Sequence, residues 1–308
     1  MWLPFVIAGS VVVLLILISL SGLYCMYRFT FYSPLKGQND DLRLAGPQYI
    51  GHEDVVNNLI KNMLSIPYED AYITSFDKLK LHAYVYPAKN SKKVAIMCHG
   101  YRGTARRDFS GGGAQAVELG INAILIDERG HGLSGGHSIT FGVKEKYDVL
   151  SWIEFAKKRF GEDIEIILMG ISMGAATVLF CADKVENMKI IADCPFPSPV
   201  HILKNTMIGM KLNPTMFFPI LNLSSIMFGH ANMRKDSAYE TVKRNKNNKI
   251  LIIHGSADTL VPCSMTQELY EANKDKIQYE LFPNATHGMS YLFDTPRYKK
   301  IVEDFINQ

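Results

Sequence analysis

A serine between two glycines carries the strongest chemical signal in the sequence. Residues 170–174 read Gly-Ile-Ser-Met-Gly, after an apolar run at 164–169 that predicts a β-strand and before small residues that predict a helix. A sharp turn from strand to helix leaves no room for side chains beside the nucleophile, which explains the two glycines. The GxSxG pattern in this setting therefore predicts that Ser172 is a nucleophile.

A serine hydroxyl attacks efficiently only when an imidazole takes its proton and a carboxylate orients that imidazole. Asp258 follows the predicted strand 250–254 in the pattern His-Gly-Ser-Ala-Asp, and His287 follows the last predicted strand, 278–282. Asp193 also ends a predicted strand and is an alternative acid, although the HGxxD pattern favours Asp258. Three further histidines near strand ends are interpreted as turn or loop residues: His99, His131 and His254.

Short apolar runs alternate with longer amphipathic ones beyond residue 68. Residues 72–74 and 79–86 predict a β-hairpin, and residues 144–159 predict the clearest helix. This alternation predicts an α/β fold with a mostly parallel sheet and crossover helices. The strands of that sheet are predicted at 94–98, 123–127, 164–169, 189–193, 250–254 and 278–282.

These motifs together resemble the α/β-hydrolase family over roughly residues 68–308. The resemblance is to bacterial membrane-anchored members of the prolyl-oligopeptidase-like and Bem46-like branch, and it implies the α/β-hydrolase fold with a short helical cap. It also implies an oxyanion hole formed by the backbone N–H groups of Tyr101, after the His99-Gly100 pair, and of Met173, after the nucleophile. The DxRGxGxS segment at 127–134 is similar to a family loop and is interpreted as structural.

The N-terminal segment has a different composition from the rest of the chain. Residues 2–27 carry no charged side chain, and about 22 helical residues at 5–26 would span roughly 33 Å, enough for a bilayer core of roughly 30 Å. We expect an uncleaved membrane anchor, because a signal peptide has a shorter apolar region that follows basic residues. Aromatic residues at both ends predict interfacial belts: Trp2 on one side, and Tyr24, Tyr27, Phe31 and Tyr32 on the other.

The basic residues nearest the predicted anchor all follow it. Arg28, Lys36 and Arg43 favour a cytoplasmic catalytic domain in a single-pass protein of the cell membrane. Long domains can cross a membrane regardless of a few charges, so the side of the membrane stays open at this point.

The chain is expected to divide into three parts. Residues 1–28 form the transmembrane anchor, residues 29–66 a linker with a docking helix, and residues 67–308 the α/β-hydrolase domain. The domain contains an unusually apolar insertion at about 195–237, in the place where the family carries its cap. That insertion is either a lipophilic acyl pocket or simply the apolar core of a helical cap.

Composition excludes several classes of function. The 308 residues hold 33 Lys and Arg against 30 Asp and Glu, without a basic stripe, which argues against nucleic-acid binding. The five cysteines form no CxxC pair, and no HExxH pattern occurs, so neither a metal nor another cofactor is expected.

The sequence therefore predicts a serine hydrolase that cleaves a carboxylic ester, with a small acyl ester as substrate and the lipid bilayer as a partner. A peptidase or acyltransferase with the same triad is the alternative among enzymes, because the fold does not determine the leaving group. A catalytically silent, membrane-anchored binding module is the alternative outside enzymes. The sequence does not indicate the oligomeric state or the natural substrate.

Overall fold

The computed structural model of the protein describes residues 2–33, 42, 44 and 46–308. Lys36 and Arg43, which entered the argument about membrane orientation, lie outside the described residues. The same holds for most of the polar part of the predicted linker.

The described chain begins with one long apolar helix, α1 (Leu3–Thr30), which has Pro4 in its first turn. A proline is well tolerated there because the first N–H groups of a helix have no partner within it. Mean hydropathy reaches 2.8 over its most apolar 18 residues, so α1 is long and apolar enough to cross a membrane by length and composition. A removable signal sequence would meet the same criterion.

A sheet of eight strands forms the centre of the described structure. Its strands are β1 (Glu69–Thr74), β2 (Lys80–Tyr86), β3 (Lys93–Cys98), β4 (Asn122–Asp127), β5 (Glu165–Ile171), β6 (Lys189–Asp193), β7 (Lys249–Gly255) and β8 (Ile277–Phe282). Strands β1 and β2 form the predicted hairpin, and β2 also pairs antiparallel with β4. All other neighbouring strands are parallel, in the order β1-β2-β4-β3-β5-β6-β7-β8.

Helices cover both faces of this sheet. Successive residues of β3 show it directly, because Ile96 belongs to one buried apolar cluster and Met97 to the other. The helices after α1 are α2 (Glu53–Ser65), α3 (Ala105–Asp108), α4 (Gly112–Glu118), α5 (Glu145–Phe160), α6 (Met173–Leu179), α7 (Pro199–Gly209), α8 (Pro214–Ser224), α9 (Ala238–Arg244), α10 (Cys263–Ala272), α11 (Ser290–Phe293) and α12 (Thr295–Asn307).

The predicted elements agree with the observed ones. The six strands predicted for the parallel sheet begin and end within two residues of the observed strands, and the helix predicted at 144–159 is α5. The docking helix predicted within residues 29–66 is α2, whose Val56, Ile60 and Met63 are buried. Apolar residues were a sufficient signal because the helices bury one apolar face and the strands of the sheet are buried on both faces.

The last turns of α1 pack against the domain. Tyr27 and Phe31 are buried in the larger apolar cluster, and the Tyr27 hydroxyl lies 2.6 Å from Ser138 Oγ. The prediction that these two residues belong to an interfacial aromatic belt was therefore wrong, because protein rather than lipid surrounds them. Trp2 and Tyr24 are exposed and remain candidates for such belts.

The insertion between β6 and β7 contains α7, α8, a π-helical turn (Ser225–Gly229) and α9. Several of its apolar residues belong to the larger buried cluster, as expected if they form the core of a cap. These are Ile202, Leu203, Met207, Phe218 and Leu221. Other apolar residues of α7 and α8 are exposed to solvent.

Candidate active site

The turn between β5 and α6 is the sharp elbow that the GxSxG pattern predicts. Ser172 has φ of 55° and ψ of −111°, a strained combination for a residue with a side chain. A Cβ atom on Gly170 would overlap the Gly174 carbonyl, and one on Gly174 would overlap the Cys98 carbonyl. Only glycine fits at both positions, so β3, β5 and α6 pack closely enough to hold Ser172 at the edge of the sheet.

Three side chains from distant parts of the chain meet at this edge. His287 Nε2 lies 2.8 Å from Ser172 Oγ, and His287 Nδ1 lies 2.7 Å from Asp258 Oδ2. Ser172 follows β5, Asp258 follows β7 and His287 follows β8, so the parallel strands bring them to one edge. The structure thus brings together all three residues predicted to form the triad, in the hydrogen-bonded sequence serine, imidazole, carboxylate.

The environment of Asp258 favours its ionised form. Its Oδ1 accepts hydrogen bonds from the backbone N–H groups of Leu260 (2.9 Å) and Val261 (2.8 Å). Its Oδ2 faces His287 and also His254, whose Nε2 is 3.4 Å away. Burial alone would raise the pKa of the carboxyl, but the hydrogen bonds from His254 and His287 outweigh it, so its pKa lies below the usual range.

Asp193, the alternative acid, occupies a different position. Its carboxylate accepts a hydrogen bond from Tyr298 and lies 3.5 Å from Ser290 Oγ, whereas His287 Nδ1 faces Asp258. Complete burial raises its pKa to about 6, although the nearby His254 partly offsets this. The geometry therefore connects Asp258, and not Asp193, to the imidazole.

The loop after β3 approaches the same edge of the sheet. The Gly100 N–H donates to Asp108 Oδ2 at 2.9 Å, which fixes the loop and occupies that donor. The next residue, Tyr101, and Ser172 line one cavity, and Met173 is the first residue of α6. The first N–H groups of a helix have no acceptor within it, which makes the N–H of Met173 available to a ligand.

This loop is attached to the C-terminal end of α1. The Tyr101 hydroxyl donates to the Thr30 carbonyl at 2.8 Å, and the Arg102 guanidinium donates to the Phe29 carbonyl at 2.7 Å. Carbonyls at the end of a helix lack partners within it and carry partial negative charge, so a cation is favourable there. No local sequence pattern indicates this attachment, because residues 29–30 and 101–102 are far apart along the chain.

The other histidines near strand ends have structural contacts. His99 Nε2 accepts from the Glu128 N–H at 3.1 Å, and the His99 ring packs edge-on against that of His131. In the DxRGxGxS segment, Arg129 forms a buried ion pair with Asp148, with Nε 2.6 Å from Oδ2. His254 is different from the expected turn or loop residue, because its Nε2 lies 3.4 Å from Asp258 Oδ2. Its place in the HGxxD pattern is the sequence signal that indicates this contact.

A cavity of about 300 Å³ lies beside Ser172. Most of its lining comes from three parts of the chain: the segment around α2, the residues from the loop after β3 to α4, and the residues from His287 onward. The end of β5 with Ser172, the last residue of β6 and one residue after β7 complete it. Of the described residues, none in the 195–237 insertion lines this cavity, so the acyl-pocket interpretation of that segment has no support. The apolar lining includes Tyr49, Val56, Leu59, Phe109, Met169, Ile171, Leu260, Met289, Tyr291 and Leu292.

Among the described residues, one group of three could offer ligand atoms to a metal ion: Cys194, Asp258 and His287, with one such atom from each residue lying within 4.8 Å of the other two. Their chemistry does not favour a resident metal. Both nitrogens of His287 already have hydrogen-bond partners, and burial raises the pKa of the Cys194 thiol well above its usual value, which disfavours the thiolate form.

The chain resembles known proteins over most of its length. A family model described as "Serine aminopeptidase, S33" matches residues 89–223, which include Ser172 but neither Asp258 nor His287. The uncharacterized protein YqkD of Bacillus subtilis (strain 168) is 26% identical over 252 residues, covering 76% of this chain and 81% of YqkD.

Solved structures extend the likeness to the whole fold. The esterase Pf2001 of Pyrococcus furiosus is 28% identical, with a TM-score of 0.63 over 80% of this chain and 94% of its own. The α/β-hydrolase GrgF of Penicillium sp. sh18 matches with a TM-score of 0.63 over 78% of this chain and 98% of its own, at 16% identity. The chain has the α/β-hydrolase fold.

This fold confirms the architecture expected from the sequence, including the mostly parallel sheet and the apolar helix that precedes it. In α/β-hydrolases the nucleophile elbow projects the reactive side chain above the carboxyl edge of the sheet. Ser172, with its backbone strain and its imidazole neighbour, occupies that elbow here.

Proposed function

We propose that this α/β-hydrolase is a membrane-anchored serine esterase that cleaves carboxylic acyl esters through an acyl-enzyme on Ser172. The observation that carries the proposal is the hydrogen-bonded series from Ser172 Oγ through His287 to Asp258, at 2.8 and 2.7 Å. A strained serine, a base within reach and an orienting carboxylate are together what nucleophilic catalysis on an ester requires.

In the proposed reaction, Ser172 Oγ attacks the ester carbonyl carbon while His287 Nε2 accepts the hydroxyl proton. Asp258 holds the Nδ1–H tautomer and stabilises the imidazolium that forms. The N–H groups of Tyr101 and Met173 bind the negative oxygen of the tetrahedral intermediate. His287 then gives its proton to the leaving alkoxide. In the second half of the reaction, His287 takes a proton from water as the water oxygen attacks the acyl carbon, and returns that proton to Ser172 Oγ as the acid leaves.

The cavity beside Ser172 supports an acyl substrate of moderate length. Its lining combines aromatic and aliphatic side chains with polar and charged ones such as Arg107 and Asp108. Its volume of about 300 Å³ is at the lower end of the range for small-molecule sites. Helix α2 supplies Val56 and Leu59 to one wall, so the segment predicted only to dock the linker also shapes the proposed acyl site.

Enlarging Leu59 should shorten the preferred acyl chain. We expect Leu59→Phe to shift the optimum among p-nitrophenyl esters to shorter acids, by lowering kcat/KM for the longest good substrate roughly tenfold, the cost of a modest steric clash. The acetyl ester should be little affected. Leu64→Phe is the matched control, because Leu64 lies on the same helix, is exposed and does not line the cavity. An unchanged chain-length profile in Leu59→Phe would exclude this wall as the acyl site.

The attachment of the oxyanion loop to α1 should affect the chemical step. Tyr101→Phe removes one neutral hydrogen bond, worth about 1 kcal/mol or roughly a fivefold effect. We expect kcat for p-nitrophenyl acetate to fall by up to that factor with KM unchanged, because the N–H donor of Tyr101 is displaced rather than removed. Kinetics of the full-length protein measure this, and a change confined to KM would contradict the proposed position of the loop.

Peptide hydrolysis is a second candidate, favoured by the description of the matching family model as a serine aminopeptidase. Comparing p-nitrophenyl esters with aminoacyl p-nitroanilides separates the two classes. We expect faster turnover of the esters; faster turnover of the anilides would overturn the esterase assignment. A silent binding module would react with neither, and its Ser172 would not be labelled by a fluorophosphonate probe.

The proposed organisation follows the sequence expectation, with an anchor at 1–28, a linker and docking helix at 29–66, and a hydrolase domain at 67–308 that carries a cap at about 195–237. Helix α1 meets the length and hydropathy needed for a membrane span. Protease accessibility of the domain in intact cells, before and after permeabilisation, tests a cytoplasmic location. Release of a shortened, soluble chain would instead identify α1 as a signal sequence.

A further inference from the structure

Helix α8 and the π-helical turn after it present an apolar stripe to the outside of the molecule. Met216 is 63% exposed, Ile220 40%, Leu223 46% and Met227 39%. Their spacing of four, three and four residues places them on one face of a helix. The opposite face carries the buried Phe218 and Leu221, so the stripe is not part of the core.

The charged residues of the segment that contains this stripe are mainly basic. Residues 195–235 contain no Asp or Glu, but they include Lys204, Lys211, Arg234 and Lys235. Lys204 and Arg234 lie near the ring of Phe218 on α8. An apolar helix in a basic segment suits the boundary between acyl chains and anionic headgroups, where apolar side chains insert and cations remain at the surface. A second copy of the same basic surface would repel it, which favours lipid as the occupant.

The contacts of α1 determine how far this stripe lies from a bilayer. The residues of α1 up to Ser19 are exposed on all sides, and partial burial begins at Leu20. A span of about 20 residues from Leu3 would leave the hydrocarbon near Gly22. Tyr24 and Tyr27, within about two turns beyond that point, contact Phe228 with ring centroids 5.3 and 5.7 Å apart.

We propose that the stripe formed by Met216, Ile220, Leu223 and Met227 lies in the interface of an anionic lipid bilayer beside α1. The proposal rests on the membrane anchor of the proposed function, because α1 fixes the height of the stripe. Because α1 contacts α8 and the π-helical turn, this face lies close to the bilayer surface if α1 spans the bilayer. Two elements, α1 and the stripe, then bind the domain to the bilayer, and the stripe inserts among the lipid headgroups.

Fluorescence quenching by brominated lipid tests this in the full-length protein reconstituted in phosphatidylcholine and phosphatidylglycerol vesicles. In a Trp2→Phe background the one remaining tryptophan is Trp152, which is fully buried. A tryptophan is then introduced by Leu223→Trp or, in a second variant, Met216→Trp. With bromines on the upper acyl chain, we expect the introduced signal to be quenched roughly threefold more than that of the control Leu281→Trp.

Leu281 is a matched control because it is 39% exposed and lies on β8, the edge strand of the sheet. Equal, weak quenching of all three variants in vesicle-bound protein would overturn the proposal, as would failure of the protein to float with vesicles. If the protein is a dimer in detergent and the fluorescence of the tryptophan in Leu223→Trp is not quenched, the stripe contacts a second copy of the chain instead of lipid. Fluorophosphonate labelling of Ser172 in the same samples separates the two proposals. Quenching without labelling would contradict the esterase proposal but would still support the position of the stripe in the bilayer interface.

Discussion

Replacing Ser172 with alanine is expected to lower kcat for p-nitrophenyl esters by roughly 10⁴- to 10⁶-fold, the range that follows loss of a serine nucleophile. The hydroxyl oxygen of Ser172 is the atom that forms the acyl-enzyme. In Ser172→Ala a methyl group faces His287 Nε2 instead, and a methyl group cannot act as a nucleophile. Any residual rate would come from substrate binding and the oxyanion donors acting on water. KM should change little, because the lost bond forms only in the transition state.

Ser110→Ala is the matched control for this variant. Ser110 is buried and lines the same cavity, but no hydrogen bond connects it to His287 in the described structure. We expect it to keep its activity within a few-fold and to retain covalent labelling by a fluorophosphonate. Labelling that persists in Ser172→Ala and disappears in Ser110→Ala would show that Ser110, and not Ser172, is the nucleophile. His287→Ala should be as inactive as Ser172→Ala, and the double variant no worse, because the two residues act as one unit.

Local patterns were enough to predict the elements around the site. A buried strand, a GxSxG turn and a helix of small residues at 164–177 specify the elbow, because each step is encoded by adjacent residues. Asp258 and His287 could be predicted for a related reason: both directly follow a short apolar strand. Since parallel strands end at the same edge, the sequence order of the strands was sufficient to bring the side chains together.

Contacts between distant segments could not be predicted in this way. The attachment of Tyr101 and Arg102 to the end of α1 depends on how α1 leaves the domain, which no local pattern encodes. The cavity wall supplied by α2 and the absence of the insertion from that wall depend equally on tertiary packing. The hydrophobicity of residues 195–237 was informative, but it could not distinguish a pocket lining from a core or from a lipid-facing stripe.

The hydrogen bonds around Asp258 determine the effect of the isosteric substitution Asp258→Asn. In the wild-type protein Oδ1 accepts from the N–H groups of Leu260 and Val261, while Oδ2 faces His287. An asparagine must keep its oxygen toward the two backbone donors, because an NH₂ group there would oppose two N–H groups and leave buried donors unpaired. The amide NH₂ is thereby forced to face His287 Nδ1.

A hydrogen-bond donor at that position changes the tautomer of the imidazole of His287. Nδ1 must then act as acceptor, so the proton of the neutral ring moves to Nε2, which can no longer accept the proton of Ser172. We expect kcat to fall roughly 10⁴-fold at neutral pH, as in other triads in which the aspartate becomes asparagine. Steady-state kinetics measure the loss, and a high-resolution structure of Asp258→Asn should show the three side chains in place.

Asp193→Asn provides the opposing case, since Asp193 ends the neighbouring strand β6 and is also buried beside the cavity. Its carboxylate interacts with Tyr298 and Ser290 rather than with Nδ1 of His287, so the tautomer of the imidazole does not depend on it. We expect this variant to stay within about tenfold of the wild-type kcat, the effect of a changed neighbouring charge rather than of a lost triad residue. If Asp193→Asn instead lost about 10⁴-fold and Asp258→Asn did not, Asp193 would be the residue that orients His287, and Asp258 would have only a structural role.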